Sequence, residues 1–478
     1  MTTNASRRQF LGVAASLAAA SPAAARLGAP FATSLAAMGT LAAGNARAFD
    51  ASGPYRALVC LFMNGGNDSH NWVVPVDISG YAEYAAARRE LAVPSSALLP
   101  IASTSQAVGR SFGMPTELQP LHKWYEAGQA AIVANVGPLV RPTTQAEFMA
   151  GTDLPSKLFS HNDQASTWQS LAPEGAPSGW GGRMGDILMS GNQHGVFTAV
   201  SAAGNALFLS GDQVTQFQVG LDGPVALNAL IASSIFGSTT GAAALKRTLA
   251  AAGSGAHQNE YTRVVQRAIE SNAVLQSALP SVQVPAIPPT VIPIGTGGSI
   301  ALNQDSLARQ LRTVARLIGA GQILGMRRQV FMVSMGGFDS HANQMRDQPA
   351  QMARVAQSID YFMSALSTMG LLGNVTLFTA SDFGRTLTSN GSGSDHGWGS
   401  HHFVAGGAVN GRDIYGRFPV TALGTSDDVG SGRLLPSTSV TEYAATLGRW
   451  MGLSDADLAL VLPNLPNFPA GTGGFMAE

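Results

Sequence analysis

Three short apolar runs in this chain, ALVCLFM at 57–63, QVFMVSM at 329–335 and VTLFTA at 375–380, stop abruptly, and an aspartate follows each within a few residues. A run with no polar face reads as a strand buried on both sides, the pattern of a parallel sheet covered by helices. Leu307, Leu311, Val314, Leu317 and Ile318 precede the second run at helical spacing, and Met352, Val355, Ile359, Phe362 and Met363 separate the second from the third. Helix, strand, helix, strand at this rhythm predicts an α/β fold, a three-layer αβα sandwich around a mostly parallel central sheet. A further strand is expected at 130–136, AAIVANV, after the helical pattern LQPLHKWYEAGQ. In such sheets ligands collect beyond the carboxyl ends of the strands.

Those ends carry the residues with the most chemistry. NGGNDSHN supplies Asp68, Ser69 and His70; GGFDSHANQ supplies Asp339 and His341; ASDFGRT supplies Asp382 and Arg385. GSDHGWGSHH adds Asp395, His396, His401 and His402, and LFSHNDQ adds His161 and Asp163. The single cysteine, Cys60, excludes an intrachain disulfide and a thiolate zinc site and reads as filling the first core strand. Any bound metal must then be held by carboxylate oxygen and neutral imidazole, which suit zinc, manganese or a similar divalent ion. One Asp after a strand is usually a helix cap, and one His near glycine is usually a hydrogen-bonded loop residue. Taken singly, Asp163, His70 and His402 therefore read as structural. Asp339 with His341, and Asp382 with His396, read as ligands because they share one sheet edge.

Only 12% of the 478 residues are charged, with 28 Lys plus Arg against 29 Asp plus Glu. A chain with no basic stripe lacks the charge that nucleic-acid binding requires. At 45% hydrophobic it is also far from the composition of disordered chains. The beginning reads as an address. Ser6-Arg7-Arg8-Gln9-Phe10-Leu11 precedes a weakly apolar, Ala-rich stretch, the pattern of a twin-arginine signal, which implies export of a folded protein by the twin-arginine translocase. Pro22, Arg26 and Pro30 interrupt that stretch too early for it to span a bilayer. Ala46 and Ala48 fit an A-x-A cleavage site, and cleavage after Ala25 is the alternative. Residues 1–48 are thus expected to be the signal and 49–478 the mature domain, periplasmic or secreted, with no stable membrane span after cleavage. The Gly-, Ala- and Ser-rich stretch at about 181–299, ending in the proline-rich VQVPAIPPTVIPIGTGG, reads as an inserted lobe and linker. Gly109-Arg110-Ser111-Phe112-Gly113 matches the G-x-S-x-G elbow, but polar IASTSQAV precedes it where an apolar strand is needed, so Ser111 is set aside.

GGNDSHNWVVP, LFSHNDQ, GGFDSHANQ, SDFGRT, SDHGWGSHHFVAGG and PNLPNF, behind a twin-arginine start, resemble the exported domain-of-unknown-function family 1501, grouped with the alkaline phosphatase and sulfatase superfamily. The resemblance covers nearly the whole mature chain. It implies an alkaline phosphatase-like fold and one or two divalent metal ions. Residue by residue, Asp68 resembles the first metal ligand of that superfamily, and Ser69 lies near the expected nucleophile. Asp339 and His341 resemble its mid-chain pair, Asp382 its late Asp, and His396 its final His, with Asp395 beside it. Phe383 stands where a His usually follows the late Asp. Either His70, His161 or His401 substitutes, or only one metal binds tightly. The resemblance implies metal-dependent hydrolysis or transfer of a phosphate or sulfate ester, on a small molecule or glycan, with Arg385 or the Gly65-Gly66 amides facing the developing charge. The alternative is a metal-stabilised binding or envelope-assembly protein without turnover.

Overall fold

The computed structural model describes residues 53–224, 233–251, 255–295, 297–468 and 473–477. The expected export signal lies outside the described residues.

A nine-stranded sheet forms the centre of the fold. Its strands are β1 (Arg56–Met63), β2 (Ala130–Gly137), β3 (Ala199–Ser201), β4 (Phe217–Gln218), β5 (Arg328–Met335), β6 (Val375–Ser381), β7 (Ser400–Gly406), β8 (Ile414–Tyr415) and β9 (Thr438–Ser439). The order across the sheet is β8-β2-β7-β6-β1-β5-β3-β4, with β9 also pairing β2. All pairs are parallel except those made by β7, which runs antiparallel to β6 and β2. β1, the first apolar run, lies between β5 and β6, the other two. Their carboxyl ends therefore open side by side.

The helices that matter are α1 (His161–Ser170), α2 (Trp180–Leu188), α3 (Ser306–Ile323), α4 (Gln344–Thr368) and α5 (Val440–Trp450). Side chains alternate across β1. Ala57, Val59, Leu61 and Met63 join one buried cluster with Leu311, Val314 and Ile318 of α3 and Val355, Ile359 and Phe362 of α4. The opposite face carries Cys60 and its neighbour across the sheet, Phe378, whose ring meets Trp180 of α2 at 5.6 Å and Tyr443 of α5 at 5.7 Å. The sandwich thus has three layers. α3 starts where Asp305 accepts from the amides of Leu307 and Ala308, a cap that Arg354 of α4 clamps in turn.

The stretch 181–299 is not set apart as a lobe. It supplies most of α2 together with β3 and β4, which continue the parallel sheet beyond β5. Its proline-rich end runs along α4, where the Tyr361 hydroxyl donates to the Pro285 carbonyl at 2.8 Å. Ala- and Gly-rich composition reflects close packing there: a Cβ at Gly181 or Gly182 of α2 would overlap Phe208 or Ser210. Among the described residues no helix is long and apolar enough to cross a membrane.

Candidate metal centre

Four segments converge at the carboxyl edge of β1, β5 and β6. After β5, the Gly336-Gly337 turn leads to Asp339 and His341. After β6 come Asp382 and Phe383, then a short antiparallel ribbon, Arg385–Ser389 with Ser394–His396, which sets Arg385 opposite His396. His161 is the first residue of α1, delivered by a turn in which Lys157 and Phe159 adopt positive φ, 49° and 69°. The fourth segment is Gly65-Gly66 after β1, where only glycine fits. A Cβ on Gly65 would strike the backbone of Asp339, and one on Gly66 the Phe383 ring.

Three imidazoles point inward in the same way. His161 Nδ1 lies 2.8 Å from an Asp382 carboxylate oxygen, His341 Nδ1 lies 3.1 Å from Asp395, and His396 Nδ1 lies 2.8 Å from the Phe159 carbonyl. Each Nδ1 faces an acceptor, the arrangement in which a neutral ring holds its proton on Nδ1 and turns Nε2 inward as a ligand atom. The three Nε2 atoms surround Asp339: His341 at 3.2 Å, His396 at 3.5 Å and His161 at 3.6 Å. His341 Nε2 and His396 Nε2 are 2.9 Å apart. Ligand atoms packed against one another and against a carboxylate call for a cation between them. A tetrahedral ion bonded at about 2.0–2.2 Å holds its ligand atoms about 3.3–3.6 Å apart; His396 and His161 stand at that distance from Asp339, while His341 sits closer to Asp339 and to His396 and would move outward by a few tenths of an ångström to share the ion. His161, Asp339 and His396 each bring one ligand atom within 4.8 Å of the others. The residues present therefore fit a divalent metal, with imidazoles oriented by outer carboxylates as metal-binding histidines are.

The charges agree. Burial lowers the His396 pKa, keeping the ring neutral. Burial pushes the Asp339 carboxyl up, but the Arg385 guanidinium, by hydrogen bond and charge, outweighs it and holds it below the usual range. Asp382 is raised by burial, against the opposing hydrogen bonds from His161 and the Gly65 amide. Phe383, which follows Asp382 where the sequence resemblance led to the expectation of a His, is a buried floor: its ring centroid is 4.8 Å from that of His161 and 4.6 Å from that of His396. Among the three residues named as substitutes for that His, the structure brings His161 beside Asp382.

Other expected ligands lie elsewhere, and their placement is a correction. Asp68 is fully buried and paired with Arg88 and the Gln344 amide, and it caps its own turn through the His70 N–H. Its side chain is wholly inaccessible and its oxygens are already taken by Arg88, Gln344 and the His70 N–H, whereas Asp339, also paired with a guanidinium, stays half exposed beside three imidazoles. Ser69 is also sealed in, its Oγ accepting from the His401 amide at 2.9 Å. Burial holds His70 neutral, with its pKa lowered to about 4, and Nε2 donates to the Arg385 carbonyl. His401 Nδ1 accepts from the Asn135 amide. Asp163 accepts from Ser160 at the start of α1. Arg385 is buried and donates to the carbonyls of Gly65, Gly66 and Ser394 as well as to Asp339, so it fixes Asp339 and leaves no donor pointed at a ligand. The Phe159 carbonyl, Arg88 and Gln344 had no signal in the sequence pattern, because main-chain acceptors and distant partners have none.

A family model described as "Protein of unknown function (DUF1501)" matches residues 55–462. No curated protein matches the chain. Among solved structures, a Bacteroides thetaiotaomicron protein from work on glycosaminoglycan metabolism aligns over 85% of this chain and 74% of its own, at 10% identity and a TM-score of 0.34. Ps i-CgsB in complex with k-i-k-neocarrahexaose aligns over 87% and 78%, at 10% identity and 0.34. The PsFucS1 sulfatase from Pseudoalteromonas sp. aligns over 89% and 73%, at 9% identity and 0.32.

Proposed function

We propose, from the premise that this chain belongs to the family of proteins of unknown function DUF1501, that His161, His341, His396 and Asp339 hold one divalent cation and that the protein hydrolyses or transfers phosphate or sulfate esters. The observation that carries this reading is the convergence of three imidazole Nε2 atoms on one carboxylate. A divalent ion there supplies a Lewis acid that polarises a phosphoryl or sulfuryl oxygen and makes water nucleophilic near neutral pH. Asp382, Asp395 and the Phe159 carbonyl keep the three rings in the tautomer that binds. Arg385 holds Asp339 toward them, and Phe383 shields one side from solvent. Because Ser69 is buried, the reading assigns attack to water: its oxygen bonds to phosphorus or sulfur, the ester oxygen departs as the alcohol, and the water proton leaves with it.

The test is metal analysis of the purified mature protein together with a panel of phosphate and sulfate esters, on wild type and Asp339→Asn. About one bound ion and ester cleavage lost in the variant support the proposal; cleavage unchanged by the variant would sink it. The burial of Ser69 favours a second reading, a metal-stabilised binding or envelope-assembly protein. Bound metal with no cleavage across the panel would select it.

Two further outcomes follow from the same proposal. Asp395→Asn keeps the shape of the His341 partner but removes its charge, so metal affinity is expected to fall by about 10- to 100-fold, measured by competition with a chelating dye. Export by the twin-arginine route is part of the proposal, and replacing Arg7 and Arg8 with lysine is expected to leave the chain in the cytoplasm, as cell fractionation would show.

A further inference from the structure

Beside the centre lies an open groove of about 370 Å³, lined by Asn64, Asn162, Gln169, Glu174, Asn205 and the ends of β3 and β5. Three of its lining residues adjoin, along the chain, the segments that build the metal site. Asn162 follows His161 on α1, Asn64 precedes the Gly65-Gly66 turn, and Ser334 is the last residue but one of β5, which leads to Asp339. Its volume falls in the range of small-ligand sites, roughly 300–1,000 Å³.

The lining is chemically narrow. Four carboxamide side chains dominate, each able to donate and to accept. No lysine or arginine lines the groove, and its one ionisable group is the exposed carboxylate of Glu174. Two amides are held in place: Gln169 accepts from the Phe208 N–H and Asn205 accepts from the Gln216 amide, which leaves an NH₂ on each for a ligand. The exposed side chains of Asn64 and Asn162 have no hydrogen-bond partner among the described residues. A polyanion would meet Glu174 and no counter-charge, whereas a hydroxyl-rich chain matches paired donors and acceptors.

We infer that this groove binds the neutral, polyhydroxylated part of a substrate, a glycan or polyol chain bearing a single ester, through Asn64, Asn162, Gln169 and Asn205. The inference rests on the reading of the neighbouring centre as an ester-cleaving site. It differs from it in locating specificity in uncharged contacts, so that densely charged polymers are poor ligands.

Calorimetric titration of the mature, metal-bearing protein with neutral gluco-, manno- and galacto-configured hexasaccharides tests it without turnover. At least one neutral probe is expected to bind, and a polysulfated hexasaccharide of equal length to bind more weakly. Asn64→Ala with Asn162→Ala removes two hydrogen-bonding side chains and is expected to weaken binding about tenfold. Asn162→Gln is expected to recover part of that loss, which a misfolded variant would not. Tighter binding of the polysulfated probe, no binding of any neutral probe, or equal binding by the double alanine variant overturns the inference. Absence of ester cleavage with neutral binding intact would count against the centre's assignment alone and leave the groove standing.

Discussion

His396→Ala is expected to lose stoichiometric metal and to lower ester cleavage at least about a hundredfold, because a Lewis acid contributes several kcal/mol to the transition state. The ring is placed to give that result without damaging the fold. Its Nε2 is 2.9 Å from His341 Nε2 and 3.5 Å from Asp339, so it closes one side of the ligand set. Its side chain is 25% exposed and its Nδ1 partner is a main-chain carbonyl that water can satisfy once the ring is gone. Circular dichroism and the denaturation midpoint of the metal-free protein should therefore match those of metal-free wild type. Holo wild type should exceed its own apo form in stability by the binding linkage, and the variant should show no such gain on adding metal. A variant that keeps one tightly held ion would remove His396 from the ligand set. A wild type with no metal from its native export route would remove the centre itself.

Strand ends were the readable part of this site. Asp339, His341, Asp382 and His396 all lie just past buried strands or on the ribbon that follows one, and a parallel sheet brings such positions together whatever the intervening sequence does. Asp68 carries the same signal, an Asp after a buried strand and a glycine turn, yet the structure gives it another partner. Arg88, twenty residues on at the end of the helix Ile78–Arg88, reaches under the turn and takes the carboxylate. Nothing local distinguishes Asp68 from Asp339: each meets a distant guanidinium, and what decides is that Asp68 is sealed in while Asp339 stays half exposed among imidazoles. His161 was ambiguous for the same reason: its position depends on a turn with two non-glycine residues in left-handed conformation, for which Lys157 and Phe159 give no signal.

The stretch 181–299 shows the opposite failure. Its composition suggested a separate lobe, but three-residue β3 and two-residue β4 are too short to register as apolar runs, and they join the sheet only because β5 offers a free edge. The order of the main layers was legible since it rests on long buried strands and amphipathic helices. Short edge strands are set by tertiary pairing, which a local pattern does not contain.

Arg88→Met is expected to cost about 3–5 kcal/mol, because it leaves a buried carboxylate without its cation. Arg88 and Asp68 are both wholly inaccessible, and Arg88 also donates to the Asn71 side chain and to the carbonyls of Thr386 and Leu387 on the ribbon that carries His396. In the wild type, burial pushes the Asp68 carboxyl up, but Arg88 and the hydrogen bond from Gln344 outweigh it and hold it below its ordinary value. A carboxyl held below an unfolded pKa of about 3.9 adds stability at neutral pH that is lost as the pH falls through its folded pKa. In Arg88→Met the burial is no longer offset, and the folded pKa rises above the unfolded one. The native state then takes up the proton first, so the variant gains stability as the pH falls from 8 toward about 4, where the wild-type pair gives no such gain. Urea denaturation midpoints at pH 8 and pH 5 measure both effects, and Asp68→Asn combined with Arg88→Met should recover part of the loss at pH 8. A single variant equally destabilised at both pH values, with no recovery in the double variant, would mean that Arg88 supports the ribbon by packing and that the buried ion pair does not govern the loss.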